Sequence, residues 1–174
     1  AGSRHSTRAA ATLARMSEAA RDLLAFIDAS PTPYHAVAEA SRRLRAAGYA
    51  ECAEQELWSL APGDRRFVVR HGGSLVAFAI GSESPVDGGF RIVGAHTDSP
   101  NLRLKPCADT CAQGYRQLAV EPYGGLLLHT WLDRDLSIAG RVTLREAGAL
   151  RTVLLAVGRP LARVPSLAIH LNRD

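Results

Sequence analysis

The spacing of apolar positions divides the chain into a helical opening and a long β-like remainder. Residues 18–29, EAARDLLAFIDA, set Ala19, Leu23, Phe26 and Ile27 on one face, which predicts an amphipathic helix. In the next stretch, SPTPYHAVAEASRRLRAAGY, Thr32 supplies an N-cap, Pro33 fits the first helical position and Gly48 can end the helix. Its inner stripe is predicted to be Tyr34, Val37, Ala38, Leu44 and Ala47. The period then shortens to two. RRFVVRHGGSLVAFAIG reads as strands over 67–70 and 75–80, joined through Gly72-Gly73. SESPVDGG is a polar loop. FRIVGA, residues 90–95, reads as a strand whose consecutive Ile92 and Val93 require cover on both faces.

Helix, helix, hairpin and strand in that order predict an α/β class, with helices packed on a mixed sheet. Beyond Pro106 the runs YRQLAVEPYGGLLLHTW, LSIAGRVTLRE, LRTVLLAV and SLAIHL are short, β-like and broken by glycines and prolines. They predict a second, all-β unit. The boundary is placed near residue 106, so that 16–105 form one part and 106–174 the other.

Composition narrows the classes. A chain of 174 residues suffices for one domain, or one and part of another, and 47% hydrophobic residues support a packed core. No apolar run approaches the ~20 residues needed to span a bilayer, so no membrane partner is expected. Residues 1–15, rich in Ala, Arg and Ser, read as a tag remnant or a loose leader, with Met16-Ser17-Glu18 as the natural start. The net charge of +4 comes from scattered arginines, Lys105 being the only lysine, and aromatics are only 6%. Nucleic acid is therefore not an expected partner. Cys52, Cys107 and Cys111 are odd in number and form no disulfide framework. The C-x3-C pair lacks the second pair that a structural zinc site needs, so free thiols in a cytoplasmic protein are expected.

Three clusters carry candidate chemistry. In RIVGAHTDSPNLRLKP, His96 and Asp98 stand at the predicted strand's C-terminal end, where α/β sheets bind ligands. An imidazole is a good zinc ligand, and a carboxylate two residues on can orient it through its other nitrogen. Pro100 stiffens the turn. H-x-D alone is a weak motif that more often marks satisfied polar residues, and one histidine cannot hold a catalytic metal. In YGGLLLHTWLDRDLSIAGR, Asp133 and Asp135 flank Arg134. Paired carboxylates suit a metal or acid–base work, but pairing with Arg134 and Arg141 favours a structural role. His129 and Trp131 fall on one face of a predicted strand, which does not make His129 a ligand. In PSLAIHLNRD, His170 follows an apolar strand at 167–169.

GAHTDSPNLRLKP, PYGGLLLHTWLDRDLSIAGRV and VPSLAIHLNRD, with SPTPYHAV before them, together resemble the successive signatures of the aspartyl aminopeptidase family of zinc metalloaminopeptidases. The resemblance runs from Met16 to Asp174 and keeps the family's order. It implies the start of a zinc-peptidase-type α/β catalytic domain, followed by part of an inserted β-rich dimerisation domain. It implies a hydrolase acting on peptide substrates, removing N-terminal residues such as Asp or Glu. The cofactor implied is zinc, two divalent metals per complete site, with other divalent ions able to substitute.

By this resemblance His96 is a metal ligand and Asp98 belongs to the catalytic set, orienting the His96 ring. His170 reaches from the dimerisation domain into a partner's active site, where it binds substrate and serves catalysis at the scissile carbonyl or oxyanion. The resemblance further implies self-association into dimers and larger tetrahedral homo-oligomers. Asp133 and Asp135 receive no ligand role. One departure is that YGG is followed by Leu126-Leu127-Leu128-His129, where the family more often has another glycine and a different polar residue. The family's bridging aspartate, its adjacent glutamates and its remaining aspartate and histidine ligands have no counterpart in these 174 residues. The chain alone is therefore expected to bind zinc weakly, to leave peptides intact and to expose sheet edges. The competing reading is a truncated, non-catalytic subunit that acts only in assembly.

Overall fold

A computed structural model of the chain describes residues 17–171. The expected leader, residues 1–15, lies outside the described residues. Helix α1 spans Glu18–Asp28, and the Ser17 hydroxyl caps it by accepting from the Ala20 N–H at 3.2 Å. Helix α2 spans Pro33–Ala46 with the expected punctuation: Thr32 caps it, Pro33 opens it and the chain leaves through Gly48 at φ +85°. The stripe differs from the expected one. Ala36, Val37 and Ser41 are buried, whereas Ala38 and Ala47 are exposed. Periodicity defines a stripe's width but not its centre, and the small residues at 36 and 41 let α2 approach its neighbours closely. Arg43 ties the helices together. It bonds the Asp22 carboxylate at 2.7 and 2.8 Å and Glu39 at 2.7 Å, with its guanidinium 5.2 Å from the Phe26 ring centroid.

Strands β1 (Ala50–Glu51), β2 (Arg65–Arg70) and β3 (Ser74–Ala79) form a sheet in that order. β1 runs parallel to β2, and β2 pairs antiparallel with β3. The β2–β3 hairpin is the one the alternation predicts, while β1 is too short to carry a period. Phe67, fully buried, and Val68 occupy the central strand, and α2 packs against the sheet. Successive strand residues face opposite ways, so β2 is covered on both faces at this point.

Residues 90–95 do not form the expected strand. No ladder includes them, and Ile92 and Val93 are 87% and 97% exposed. A strand exists through its hydrogen-bonded neighbours, and no described strand pairs with this segment. The polar loop before it contains one helical turn, α3 (Pro85–Gly88), capped by Ser84.

The chain divides into two compact units. The first runs to Thr97 and also takes residues 140–154; the second comprises residues 98–139 and those from Leu155 onward. In the second, β4 (Asn101–Ala112) and β5 (Tyr115–Tyr123) form an antiparallel hairpin. It turns at Gln113-Gly114, both at positive φ, as a two-residue hairpin of matching twist requires. Strands β6 (Ala139–Glu146) and β7 (Ala149–Ala156) pair with each other. The change of character at Pro106 falls inside β4. Proline has no N–H for the ladder, and the register shifts between Leu104 and Asp109 as a bulge rather than an ending. Two predicted strands are absent. Leu128–Thr130 is a 3-10 turn, so His129 has no strand face to share with Trp131. Residues 167–169 form no ladder and lead into a turn closed by the Leu171 N–H on the Ala168 carbonyl at 2.8 Å.

Candidate functional site

His96 lies exposed in the segment that follows residues 90–95. Its neighbour Thr97 anchors it: the hydroxyl donates to the Gly73 carbonyl, in the β2–β3 turn, at 2.9 Å. That turn is itself held from two sides. Arg141 donates to the His71 carbonyl at 2.6 Å and lays its guanidinium over the Tyr34 ring, 4.1 Å from the centroid. Gly73 packs against the Tyr34 ring, where a Cβ would lie in ordinary contact with Cε1 at 3.4 Å. Tyr34 belongs to SPTPYHAV. That segment therefore supports the turn on which Thr97, and with it His96, depends.

Asp98 is half-buried, and its Oδ2 accepts from the Tyr123 hydroxyl at 2.8 Å. Tyr123 ends β5 opposite Asn101. Arg103 stands opposite Glu121, which puts it on the same face of the hairpin as Tyr123. Its guanidinium lies 3.4 Å from the Tyr123 ring centroid, a cation–π contact. The hydrogen bond to Asp98, then the charge of that carboxylate, push the Tyr123 hydroxyl above its ordinary value of 10, with Arg103 opposing. The hydroxyl stays protonated, and so a donor, at neutral pH. Gly124, at φ +71°, packs on Pro100, where a Cβ would meet Cγ at 3.4 Å. The loop after His96 is thus fastened to the end of β5 at two points. Tyr123 and Arg103 escape sequence reasoning because only the β4–β5 register sets Arg103 on the face of Tyr123, and Tyr123 reaches Asp98 across 25 positions.

Asp133 and Asp135 are held by partners other than the arginines first expected. Asp133, at φ +52°, accepts from the Ser166 N–H at 3.0 Å and from the Ser166 hydroxyl, and its own N–H donates to the Val164 carbonyl at 2.9 Å. The two Ser166 bonds lower its pKa below the ordinary carboxylate value. Asp135 pairs with Arg163 at 2.9 Å. Arg134 donates instead to the Thr130 carbonyl at 3.3 Å. Arg163 and Ser166 both precede His170, so these acids fasten the segment that leads to it. His170 itself is exposed in the turn after that segment.

Among the described residues no three His, Cys, Asp or Glu side chains gather where they could hold a metal ion. Cys52, Cys107 and Cys111 are free thiols. A catalytic zinc needs three protein ligands. The described residues do not supply such a set. Among the described residues no helix is long and apolar enough to cross a membrane.

The family model described as aminopeptidase I zinc metalloprotease (M18) matches residues 26–174. A probable M18 family aminopeptidase 2 of Pseudomonas fluorescens is 52% identical over 152 residues, covering 87% of this chain and 35% of its own length. A protein of the same description from Ectopseudomonas mendocina is 50% identical over 157 residues, covering 90% and 37%. A chain in the cryo-EM structure of the Ape4 and Nbr1 complex superposes with a TM-score of 0.83 at 46% identity, covering 88% of this chain and 30% of that one. The S. cerevisiae mApe1 dodecamer gives a TM-score of 0.79 at 32% identity, covering 88% and 36%. The helix-and-sheet architecture is shared with these structures. The chain spans about a third of the length of the curated relatives it matches.

Proposed function

The chain belongs to the aminopeptidase I zinc metalloprotease (M18) family, and from that premise we propose that the complete protein is a zinc-dependent aminopeptidase removing N-terminal residues, Asp or Glu among them, from peptides. The observation that carries this reading is the family match over residues 26–174, an interval that includes His96, Asp98 and His170. The chain carries the opening of the α/β catalytic domain and part of a β-rich dimerisation domain inserted in it. His96 gives one imidazole to a dinuclear zinc site, and Asp98 orients that ring. The other ligands and the general base come from the two thirds of the relatives' length that this chain does not span. When bound, the two ions supply an acidified water and polarisation of the scissile carbonyl.

His170 acts in a partner subunit, donating to the oxygen that becomes negative in the transition state. Its exposure within its own chain is what such reach requires. The assembly is a dimer built into larger tetrahedral homo-oligomers, located in the cytoplasm; the dodecameric S. cerevisiae relative supports self-association. The test is His170→Ala in the complete protein. Turnover is expected to fall about 100-fold or more, the usual effect of losing one oxyanion donor, with bound zinc unchanged. Equal loss of zinc and activity contradicts the role, and a complete protein that assembles but cleaves no peptide leaves only the assembly-subunit reading.

A further inference from the structure

We propose that Asp133 is a positioning residue for catalysis in a partner's active site: its carboxylate clips the chain at Ser166 and so sets where His170 stands. The inference rests on the reading of His170 as a donor acting in a partner subunit and deepens it.

Asp133, Ser166 and His170 lie in one compact unit. From Ser166 to Leu171 the chain is exposed and joins no ladder, so neither burial nor regular backbone directs the imidazole. Among the described residues, the last hydrogen bonds that tie this segment to another part of the chain flank Pro165. On one side the Val164 carbonyl accepts from the Asp133 N–H at 2.9 Å. On the other the Asp133 carboxylate takes both donors of Ser166, the N–H on Oδ1 at 3.0 Å and the hydroxyl on Oδ2. Proline fixes its own φ, so a chain gripped on each side of it leaves in a set direction. Asp133 makes both grips from a left-handed backbone, φ +52°, which Asp and Asn tolerate better than other residues with a side chain. The exposed Asp135–Arg163 pair, at 2.9 Å, adds a weaker hold. His170 follows Ser166 by four residues, and the turn that the Leu171 N–H closes on the Ala168 carbonyl shortens that tether. An extended chain spans at most ~3.6 Å per residue, so the His170 backbone stays within ~14 Å of the clip. With the carboxylate removed the nearest hold is Val164, and the reach grows to about 22 Å.

The experiment uses the complete enzyme and reads kcat, KM, bound zinc and, by ultracentrifugation, oligomeric state. Asp133→Gly keeps the left-handed backbone and removes the carboxylate. Its kcat is expected to fall by between about 2-fold, the loss of effective concentration from the longer tether, and about 100-fold, the cost of a ~1 Å misplacement. KM, zinc and assembly are expected to stay near wild type. Asp133→Asn, whose side-chain oxygen still accepts from the Ser166 N–H, is expected to recover most of the loss. Ser166→Ala, which keeps that N–H bond and loses the hydroxyl, is expected to fall in between. In a His170→Ala background, Asp133→Gly is expected to add almost nothing, because both changes remove one contribution. An unchanged kcat in Asp133→Gly overturns the proposal. So does a full additional loss in the His170→Ala background, which assigns Asp133 a role in folding alone. His170→Ala is the reference: if turnover survives that change, the reading of His170 falls and this proposal with it. If His170→Ala lowers turnover while Asp133→Gly does not, only the proposal falls.

Discussion

Zinc added to the metal-free 174-residue chain tests how much of a metal site these residues contain. No three potential ligands converge among the described residues, and His96 is exposed on a loop. A four-ligand structural zinc site binds with about 10–16 kcal/mol, so one ligand's equal share is about 2.5–4 kcal/mol. That corresponds to a Kd of roughly 1–15 mM. At about 100 µM zinc, mass action then stabilises the fold by less than ~0.1 kcal/mol, which no melting curve resolves. A complete site with a Kd of about 1 µM would give ~2.7 kcal/mol under the same conditions. For a chain of this size that is a rise in melting temperature of roughly 5–11 °C. The assay is a thermal melt with and without zinc, paired with isothermal titration, after alkylation of the exposed Cys107 and Cys111. No shift, no stoichiometric heat and no peptide hydrolysis are expected. Sub-micromolar, one-to-one binding that disappears in His96→Ala would refute the reasoning, because it would show a whole site assembled from this chain alone.

Two further predictions concern the fold that carries His96. Phe67 is the largest fully buried side chain among the described residues, so Phe67→Ala is expected to cost roughly 3–5 kcal/mol and Phe67→Leu under about 1.5 kcal/mol, read from urea unfolding; a loss below ~1 kcal/mol for the alanine variant would move the core elsewhere. Glu39, hydrogen-bonded to Arg42 and then Arg43, has its pKa drawn down from 4.5 to about 2. Its contribution to stability is therefore complete above 4.5 and lost as pH falls through about 2. Melts between those two values are expected to decline more steeply for wild type than for Glu39→Gln, and parallel curves would dismiss the pairing.

What the sequence reveals and what it hides divide by range. The caps of α2 and the β2–β3 hairpin are encoded within a few neighbouring residues, and they appear where the pattern puts them. The contacts that frame the candidate site are not local. Tyr123 meets Asp98 across 25 positions, Asp133 meets Ser166 across 33, and Arg141 meets His71 across 70. Each depends on a strand register or a chain return that hydrophobic spacing does not state. The acids at 133 and 135 show the effect: nearby arginines are the obvious partners in sequence, yet folding delivers Ser166 and Arg163 instead.

Residues 90–95 show the converse, a pattern without its structure. Their apolar run specifies a strand covered on both faces, but a strand is a property of a pair, and no described strand lies beside them. Burying a side chain such as Ile92 or Val93 is worth about 1.5–3 kcal/mol, and that gain is unrealised here. His96 follows directly. Pairing that ordered 90–95 would also fix the backbone from which the His96 imidazole projects.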